Sequence, residues 1–571
     1  MRALVIGDDT RSFLAIVRSL GRQGWVVDAA PFDFSSPALS SRYLRRVHRV
    51  DAYSISAERW VDRLRSLVAQ EHYDLIIPCD DRALIPLAHH AQAFATRLAV
   101  PNAEAVAIFF DKVETRGLAA SLGVSVARGK ALDDGDTADG LVRDFGLPLA
   151  LKPRSSYVLG QAGARSTVRI VRTAATLQTF LGDLRRPTGW LVESFFHGEG
   201  CGISVLADRG EVVMAFQHRR LAESSESGGS SVRVGEPVDP ALMKHVEAMA
   251  RATGLHGVAM FEFRRDRDSR HAILLEVNCR FWGSLPLAVA SGADFPAAAA
   301  RLHVQDRSSP RPGAYRPGIV RRDLGGEYNR IVTAASGRGS PAAKLIAAAA
   351  GFARLAPALI SGRGFDSHAP DDPAPFRRDR GQLARHMTMA FAKRLTPPAL
   401  RRVRGRAALR RLRRHVGGGN GELVILCHGN ICRSPFAEHR LREKARLAGL
   451  RLDILSAGTI ETEGRRSPDE AVVAARRFGV DLSGHRSRVV DGKTARRAAA
   501  VIVFDDRNVD ELRRLGLDDG VDLLRLPDLV GRRGIEDPYG RGPAGFDRVY
   551  ADIDRALDRL VLALAPGGET R

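Results

Sequence analysis

The nine residues Cys427-His428-Gly429-Asn430-Ile431-Cys432-Arg433-Ser434-Pro435 carry the sharpest chemical signal in the chain. They follow the apolar run Leu423-Val424-Ile425-Leu426 and lead into a helical pattern. A short buried strand that ends in a cysteine, with five residues before Arg-Ser, has the layout of a phosphate-holding loop. Successive backbone N–H groups and the N-terminus of the next helix converge on one anion. Arg433 adds a bidentate grip on phosphate oxygens. The same positive field favours the thiolate of Cys427, a nucleophile at neutral pH.

A second constellation lies far upstream. Val258–Arg264 and Ala272–Asn278 read as strands around a polar turn, Asp266–Arg270, and so as an antiparallel hairpin. Alternation places Glu276 and Asn278 on one face, and a register centred near Ser269 sets Glu262 opposite Glu276. Opposed carboxylates are unfavourable unless a cation lies between them, and hard oxygen ligands suit Mg²⁺ bridging nucleotide phosphates. Arg280 follows two residues later, within reach of a phosphate, and Lys152 ends the strand Leu149–Lys152. Tyr157 to Ser166 is a Gly- and Ser-containing loop suited to lying over phosphates.

These groups need at least three frameworks. Residues 1 to 105 alternate apolar strands (Arg2–Ile6, Trp25–Ala29, Tyr73–Pro78) with helical patterns, which predicts a doubly wound parallel sheet. No G-x-G-x-x-G follows Ile6, so a dinucleotide site is not indicated. Residues 106 to 305 mix strands and helices. Residues 306 to 375 form an extension that includes an Ala-rich helix from Ser340 to Ser361. Residues 376 to 420 form a basic linker: between Arg377 and Arg414 there are fourteen Lys and Arg against one acid, Asp379. Its residues Leu400, Val403, Ala407, Leu409 and Leu412 suit one face of an amphipathic helix on a membrane surface, while the absence of interleaved aromatics disfavours nucleic acid. Residues 421 to 571 alternate strand and helix again, predicting a four-stranded parallel α/β domain with the cysteine loop at the C-terminal end of its first strand.

Composition fits several cores in one basic chain. The 571 residues exceed one domain, and 87 basic against 66 acidic residues give a net charge of +21, which points to anionic partners. Five cysteines in so long a chain do not make a secreted disulfide framework, and the N-terminus opens directly into a strand without a leader pattern. The longest apolar stretch, Ala342–Ile360, is broken by Lys344, Arg354 and Pro357. A cytoplasmic protein is expected.

Lys112, Lys152, the Glu193–Glu199 segment, Glu262 and Glu276-x-Asn278-x-Arg280, in this order, resemble the ATP-grasp superfamily in its carboxylate–amine ligase branch. The resemblance implies a pre-ATP-grasp parallel α/β domain followed by an α+β ATP-grasp domain. It also implies that Lys112 and Lys152 hold phosphates, Glu193 faces adenine, Glu199 contacts ribose, and Glu262, Glu276 and Asn278 ligate Mg²⁺. ATP would activate a carboxylate as an acylphosphate for attack by an amine. His218–Glu223 looks like a loop of this branch that places Arg220 near substrate or the γ-phosphate. A rival is a nucleotide-sensing module that ligates nothing.

The cysteine loop, Ser456-Ala457-Gly458-Thr459, His485-Arg486-Ser487-Arg488 and Glu536-Asp537-Pro538-Tyr539 together resemble the low-molecular-weight protein tyrosine phosphatases. This implies a cofactor-free phosphatase in which Cys427 attacks phosphorus, Arg433 holds the equatorial oxygens and Asp537 protonates the leaving group. Asn430 braces the loop, Ser434 donates to the thiolate, and Cys432 can form a reversible disulfide with Cys427. Its target is a phosphorylated protein or another phosphomonoester. Ile460–Arg465 lacks the aromatic residue often found on the pocket wall, and no cysteine follows Cys432, which disfavours arsenate reduction.

Overall fold

The computed structural model describes all residues except 8–9, 51–52, 54–56, 156, 158, 160–167, 185–186, 224–229, 306–314, 337–339, 396, 417–421, 460–462, 516, 518–520 and 566–571. The chain divides into two compact units, Met1–Arg385 and His386–Arg571. Most of the Gly- and Ser-containing loop, the glycine joint before the cysteine domain and the start of the segment after Thr459 lie outside the described residues.

Unit 1 begins with β1 (Arg2–Gly7), β2 (Val26–Pro31), β3 (Leu44–Val47), β4 (Leu75–Pro78) and β5 (Arg97–Leu98), in the order β3-β2-β1-β4-β5. All neighbours are parallel, as the strand–helix alternation predicts. Helix α1 (Thr10–Arg22) covers one face, with Phe13, Ile16, Val17 and Leu20 buried. Two antiparallel sheets follow α2 (Lys112–Ser121). The smaller contains β6 (Gly129–Ala131), β7 (Leu149–Pro153), β8 (Arg169–Val171) and β9 (Trp190–Ser194), in the order β6-β9-β7-β8. The larger contains β10 (Glu199–Asp208), β11 (Glu211–Glu223), β12 (Ser230–Glu236), β13 (Gly257–Arg265), β14 (Ala272–Asn278) and β15 (Val320–Arg322), in the order β14-β13-β10-β11-β12-β15.

Two features of the larger sheet were not visible in the sequence. His218–Glu223 is the end of strand β11 and not a loop: β10 pairs with it as far as Arg219 and β12 through Glu223. The 306–375 extension supplies β15 as an edge strand, then α3 (Leu324–Ser336) and α4 (Pro341–Ser361), which pack in a small core of Leu324, Ile331, Leu355, Phe365 and Phe376. Past α4 the chain returns to the first sheet. There Asp372 Oδ2 accepts from Arg18 Nε at 2.9 Å, with both side chains buried. Asp366 similarly pairs with Arg233, whose side chain is 1% exposed. Helix α5 (Ala374–Leu395) follows.

Unit 2 takes in the end of α5 and then α6 (Pro398–Val416), the arginine-rich stretch. The order of the next elements is β16 (Glu422–Cys427), α7 (Arg433–Leu447), β17 (Asp453–Gly458), β18 (Ala498–Val503), α8 (Asp506–Arg514), β19 (Leu523–Arg525) and α9 (Gly542–Leu564). The strands form one parallel sheet, β17-β16-β18-β19. Helix α6 is part of this unit: Leu409 and Leu412 are buried in the same core as Leu423, Ile425 and Phe436, and Gly405 lies against the backbone of Asp528. The face reaches inward at 401, 405, 409 and 412, the spacing of a buried helix stripe, while Leu400 and Val403 stay outside.

Candidate active sites

In unit 2, β16 delivers Cys427 to the C-terminal end of the sheet, where its side chain is buried. Ser434 Oγ lies 3.0 Å from Cys427 Sγ, and the Asn430 N–H donates to the same sulfur at 3.2 Å. Asn430 turns the loop through a positive φ of 50°, which Asn tolerates better than most residues. Its side chain is fully used: Nδ2 donates to Ser434 Oγ at 2.9 Å and Ser456 Oγ at 2.8 Å, while Oδ1 accepts the Arg488 N–H at 2.8 Å. Because Ser434 Oγ accepts from Asn430, its own proton is left to point at the sulfur, with Ala457 O farther off at 3.4 Å. His485 Nε2 lies 2.7 Å from the Asn430 carbonyl, which fixes the imidazole proton on Nε2. Burial pulls the His485 pKa below its ordinary value, so the ring stays neutral. The loop also needs Gly458 beside it: a Cβ there would sit 3.0 Å from the Asn430 nitrogen.

Arg433 opens α7 and is 1% exposed. Its Nη1 donates to Asp505 Oδ2 at 2.6 Å and Ile535 O at 3.0 Å, and its Nη2 to Asp537 Oδ2 at 2.9 Å. The guanidinium stacks on Phe504, 5.5 Å from the ring centroid, and its buried Nε has no partner among the described residues. Asp505 also caps α8, accepting from Asn508 N–H at 2.9 Å. Cys432 is buried, and Tyr550, stacked on Phe436 at 3.9 Å, donates to its carbonyl at 3.2 Å. Burial and the neighbouring Cys427 push the Cys432 thiol well above its ordinary value.

The loop is braced further by residues without a role in the sequence reading. Ser456 and His485 stood only in matched motifs, although Ser456 anchors Asn430 and is itself held by buried Glu438, which accepts its N–H at 3.0 Å. Asp505 was missed outright. Its only signal was an Asp directly after an apolar strand and before a helix, the pattern of a cap.

In unit 1 the hairpin pairs as the spacing predicts, with Glu262 opposite Glu276 and Met260 opposite Asn278. A cleft of about 100 Å³ runs between the two antiparallel sheets, lined by Lys152, Glu193, Phe195, Arg220, Glu262 and Glu276 among others. The charges in it are paired. Glu193 accepts Lys152 Nζ at 2.5 Å and Arg116 Nη1 at 2.5 Å, and Glu262 accepts Arg220 Nη2 at 2.6 Å. Lys112 Nζ lies 3.8 Å from Glu276 Oε2. Burial would raise the Glu276 carboxyl, yet Lys112 and Lys152 hold it below the usual carboxylate range. Asn278 Nδ2 donates to Glu276 Oε1 at 3.3 Å, and Arg280 donates to Asn278 Oδ1 at 3.1 Å while also pairing with Asp81.

Four predicted residues do not line the cleft: Lys112 and Asn278 touch its Glu276 from outside, and Glu199 and Arg280 stand apart. The Glu199 carboxylate is engaged by Arg265 at 2.8 Å and Arg219 at 3.6 Å. Arg280 faces Asp81 of the first sheet's β4 end. Among the described residues, no three His, Cys, Asp or Glu side chains cluster as a metal site. The set at the hairpin is two carboxylates and an amide oxygen, hard donors that fit Mg²⁺, and the cations now beside them mark where positive charge is wanted.

A buried cysteine beneath two hydrogen-bond donors, with an arginine between two carboxylates, makes unit 2 a cysteine-dependent phosphatase domain. The chain belongs to the low-molecular-weight protein-tyrosine-phosphatase family: residues 422–567 match the family described as low molecular weight phosphotyrosine protein phosphatase. It is 30% identical over 139 residues, 24% of this chain and 92% of the relative, to the probable low molecular weight protein-tyrosine-phosphatase EpsP of Ralstonia nicotianae. To the low molecular weight protein-tyrosine-phosphatase of Streptomyces coelicolor it is 34% identical over 161 residues, 26% of this chain and 96% of that one. Residues 186–322 match a family described as ATP-grasp in the biosynthetic pathway with Ter operon. A solved structure similar to this chain is the biotin carboxylase domain of Hydrogenobacter thermophilus 2-oxoglutarate carboxylase, 15% identical, covering 56% of this chain and 73% of that one, with a TM-score of 0.45. The chain thus joins a region that matches an ATP-grasp family model to a low-molecular-weight tyrosine phosphatase domain.

Proposed function

We propose that unit 2 hydrolyses phosphomonoesters, phosphotyrosine in proteins first among them, through a phosphocysteine on Cys427. The observation that carries this reading is the pair of donors, Ser434 Oγ and the Asn430 N–H, converging on Cys427 Sγ at 3.0 and 3.2 Å. Both stabilise the thiolate. The sulfur bonds to phosphorus as the ester P–O bond breaks, and Asp537 gives its proton to the departing oxygen. Arg433 and the loop N–H groups hold the equatorial oxygens. A phosphate that takes up Arg433 Nη2 draws it from Asp537, now 2.9 Å away, and leaves that carboxyl free to carry the proton. In the second step Asp537 takes a proton from water, the water oxygen bonds to phosphorus, and the P–S bond breaks. Cys432 serves as a guard: with a peroxide as oxidant, a Cys427 sulfenic acid condenses with the Cys432 thiol to a disulfide and water.

For unit 1 we propose ligation of a carboxylate to an amine at the expense of ATP. Lys112 and Lys152 would exchange their present carboxylate partners for phosphate oxygens, and Glu193 and the strand end through Phe196 would face adenine. Glu262, Glu276 and Asn278 would hold Mg²⁺, which when bound neutralises and orients the phosphates. Arg220, bonded to Glu262, is positioned to meet the transferred phosphoryl or the carboxylate, Arg280 a phosphate, and Glu199 the ribose once Arg265 yields.

Two substitutions in the full chain test both halves. Cys427→Ser should lower hydrolysis of an aryl phosphate roughly 10⁴-fold or more and leave carboxylate-stimulated ADP release intact. Glu276→Gln should lower Mg²⁺-dependent ADP release up to roughly 100-fold and leave hydrolysis intact. Hydrolysis that survives the first change removes the phosphocysteine; ADP release indifferent to the second, or to any carboxylate, removes the ligase reading.

A further inference from the structure

We infer that the outer face of α6 docks the protein onto a bilayer surface rich in anionic phospholipid. The helix is anchored to unit 2 by its inner stripe, with Arg401, Leu409 and Leu412 buried and Gly405 against Asp528. Its orientation is therefore fixed, and a second stripe is turned outward. Leu400, Val403, Ala407, Arg410 and Arg414 follow one another at spacings of three and four residues, which stacks them along one side of a helix. Leu400 is 46% and Val403 51% exposed, while Arg402, Arg406, Arg410 and Arg414 are all exposed.

Several basic side chains of unit 2 find carboxylates: Arg440 and Lys444 pair with Asp554, Arg507 with Glu511, and Arg532 and Arg555 with Asp552. On α6, Arg411 reaches Asp522 at 3.2 Å and Arg402 lies against Gly531, but Arg406, Arg410 and Arg414 have no ion-pair partner among the described residues. These three are spaced i, i+4 and i+8, a ridge of about 12 Å in which each neighbouring pair repels. The segment from Arg401 to Arg414 contains no acid at all. An arrangement that destabilises the helix in isolation is relieved by a surface of negative charge.

Three properties favour lipid over other polyanions. No Phe, Tyr or Trp lies between Pro397 and Val416 for stacking on bases, so single-stranded nucleic acid gains only charge. Exposed Leu400 and Val403 share the face with the arginines, and a bilayer takes both, aliphatic side chains below the headgroups and guanidinium groups on the phosphates. A convex ridge of long cationic side chains also suits a fluid array of phosphates better than a protein with fixed carboxylates. Among the described residues no helix is long and apolar enough to cross a membrane, so the contact is peripheral.

The test is cosedimentation of the full chain with vesicles of phosphatidylcholine alone and of phosphatidylcholine mixed with phosphatidylglycerol. The wild type should bind only the mixed vesicles and be released by salt. The Arg406→Gln, Arg410→Gln, Arg414→Gln triple variant should partition roughly 100-fold less, at roughly fivefold per arginine. The Leu400→Ser, Val403→Ser variant should lose roughly tenfold. Unchanged aryl phosphate hydrolysis shows that each variant is folded; should the glutamine variant lose it, the matching lysine variant is read instead and must bind as the wild type does. Binding equal on both vesicle types, insensitivity to either set of changes, or displacement from vesicles by an RNA oligonucleotide or an acidic peptide at equal charge concentration overturns the inference.

Discussion

The cysteine loop and the inter-sheet cleft face the same chemical problem with different construction. In the loop, Cys427, Asn430, Arg433 and Ser434 come from one short stretch; neutral hydrogen bonds on Asn430 and Ser434 hold its shape, and of these four Arg433 alone is ion-paired, with Asp505 and Asp537. In the cleft, the charged groups come from α2, β7, β9, β11, β13 and β14, and they neutralise one another as ion pairs. The loop backbone is preorganised, so an anion need exchange only the Arg433–Asp537 pair. The cleft holds its charges in several mutual pairs, which a bound nucleotide would have to exchange. One site therefore depends on every member, while the other shares its load.

The largest expected effect follows from that contrast. Arg433→Lys removes a planar fork that now spans Asp505 and Asp537, and kcat/KM for an aryl phosphate should fall roughly 10³-fold. Lys152→Met leaves Arg116 on Glu193 and Lys112 on Glu276, so KM for ATP should rise only roughly tenfold. Equal losses in steady-state kinetics at the two sites would break the comparison.

A smaller effect sharpens it. Asn430→Ala removes the donors to Ser434 and Ser456 and the acceptor for Arg488 N–H, and puts a less tolerant residue at φ 50°. Thermal unfolding of unit 2 should report a loss of about 2–3 kcal/mol. A loss confined to turnover, with stability unchanged, would mean that the loop holds its shape without this residue.

The smallest effect separates the units by pH. His218 is buried beside Gly202, where burial first, then Arg220 and Arg233, pull its pKa down to about 3. The unfolded chain binds a proton near pH 6.5 that the folded state refuses, so this contribution is present above pH 6.5 and is lost as pH falls toward 3. At pH 5 the loss from this residue is about 2 kcal/mol. A His218→Gln variant should flatten the acid slope of unit 1 in denaturant titrations and leave that of unit 2 alone. An unaltered slope would place the sensitivity elsewhere.

The same contrast explains what could be read without a structure. The loop is contiguous, so residue order alone encodes its geometry, and the hairpin was readable because Asp266–Arg270 fixes a register that pairs Glu262 with Glu276. Glu193, by contrast, is fastened by Lys152 and Arg116, contacts that only tertiary folding creates. The long strands β10 to β12 were illegible for a related reason: β10 is buried along nearly its whole length, so it lacks the alternation that marks a one-sided strand. Helix α6 shows how a correct composition can mislead. Its apolar residues were assigned to one face, but Leu409 and Leu412 satisfy the phosphatase core while Leu400 and Val403 do not, and only packing decides between them.

The return of the 306–375 segment to the first sheet sets where the ligase half ends as a piece of matter. A polypeptide cut at residue 322, the edge of the family match, would retain Arg18 and Arg233 but lose Asp372 and Asp366, stranding two buried guanidinium groups. Each such orphaned charge costs about 3–5 kcal/mol, a large share of what holds a domain of ordinary stability together. An exchange of the N-terminal half that keeps both pairs intact must therefore cross over beyond Asp372.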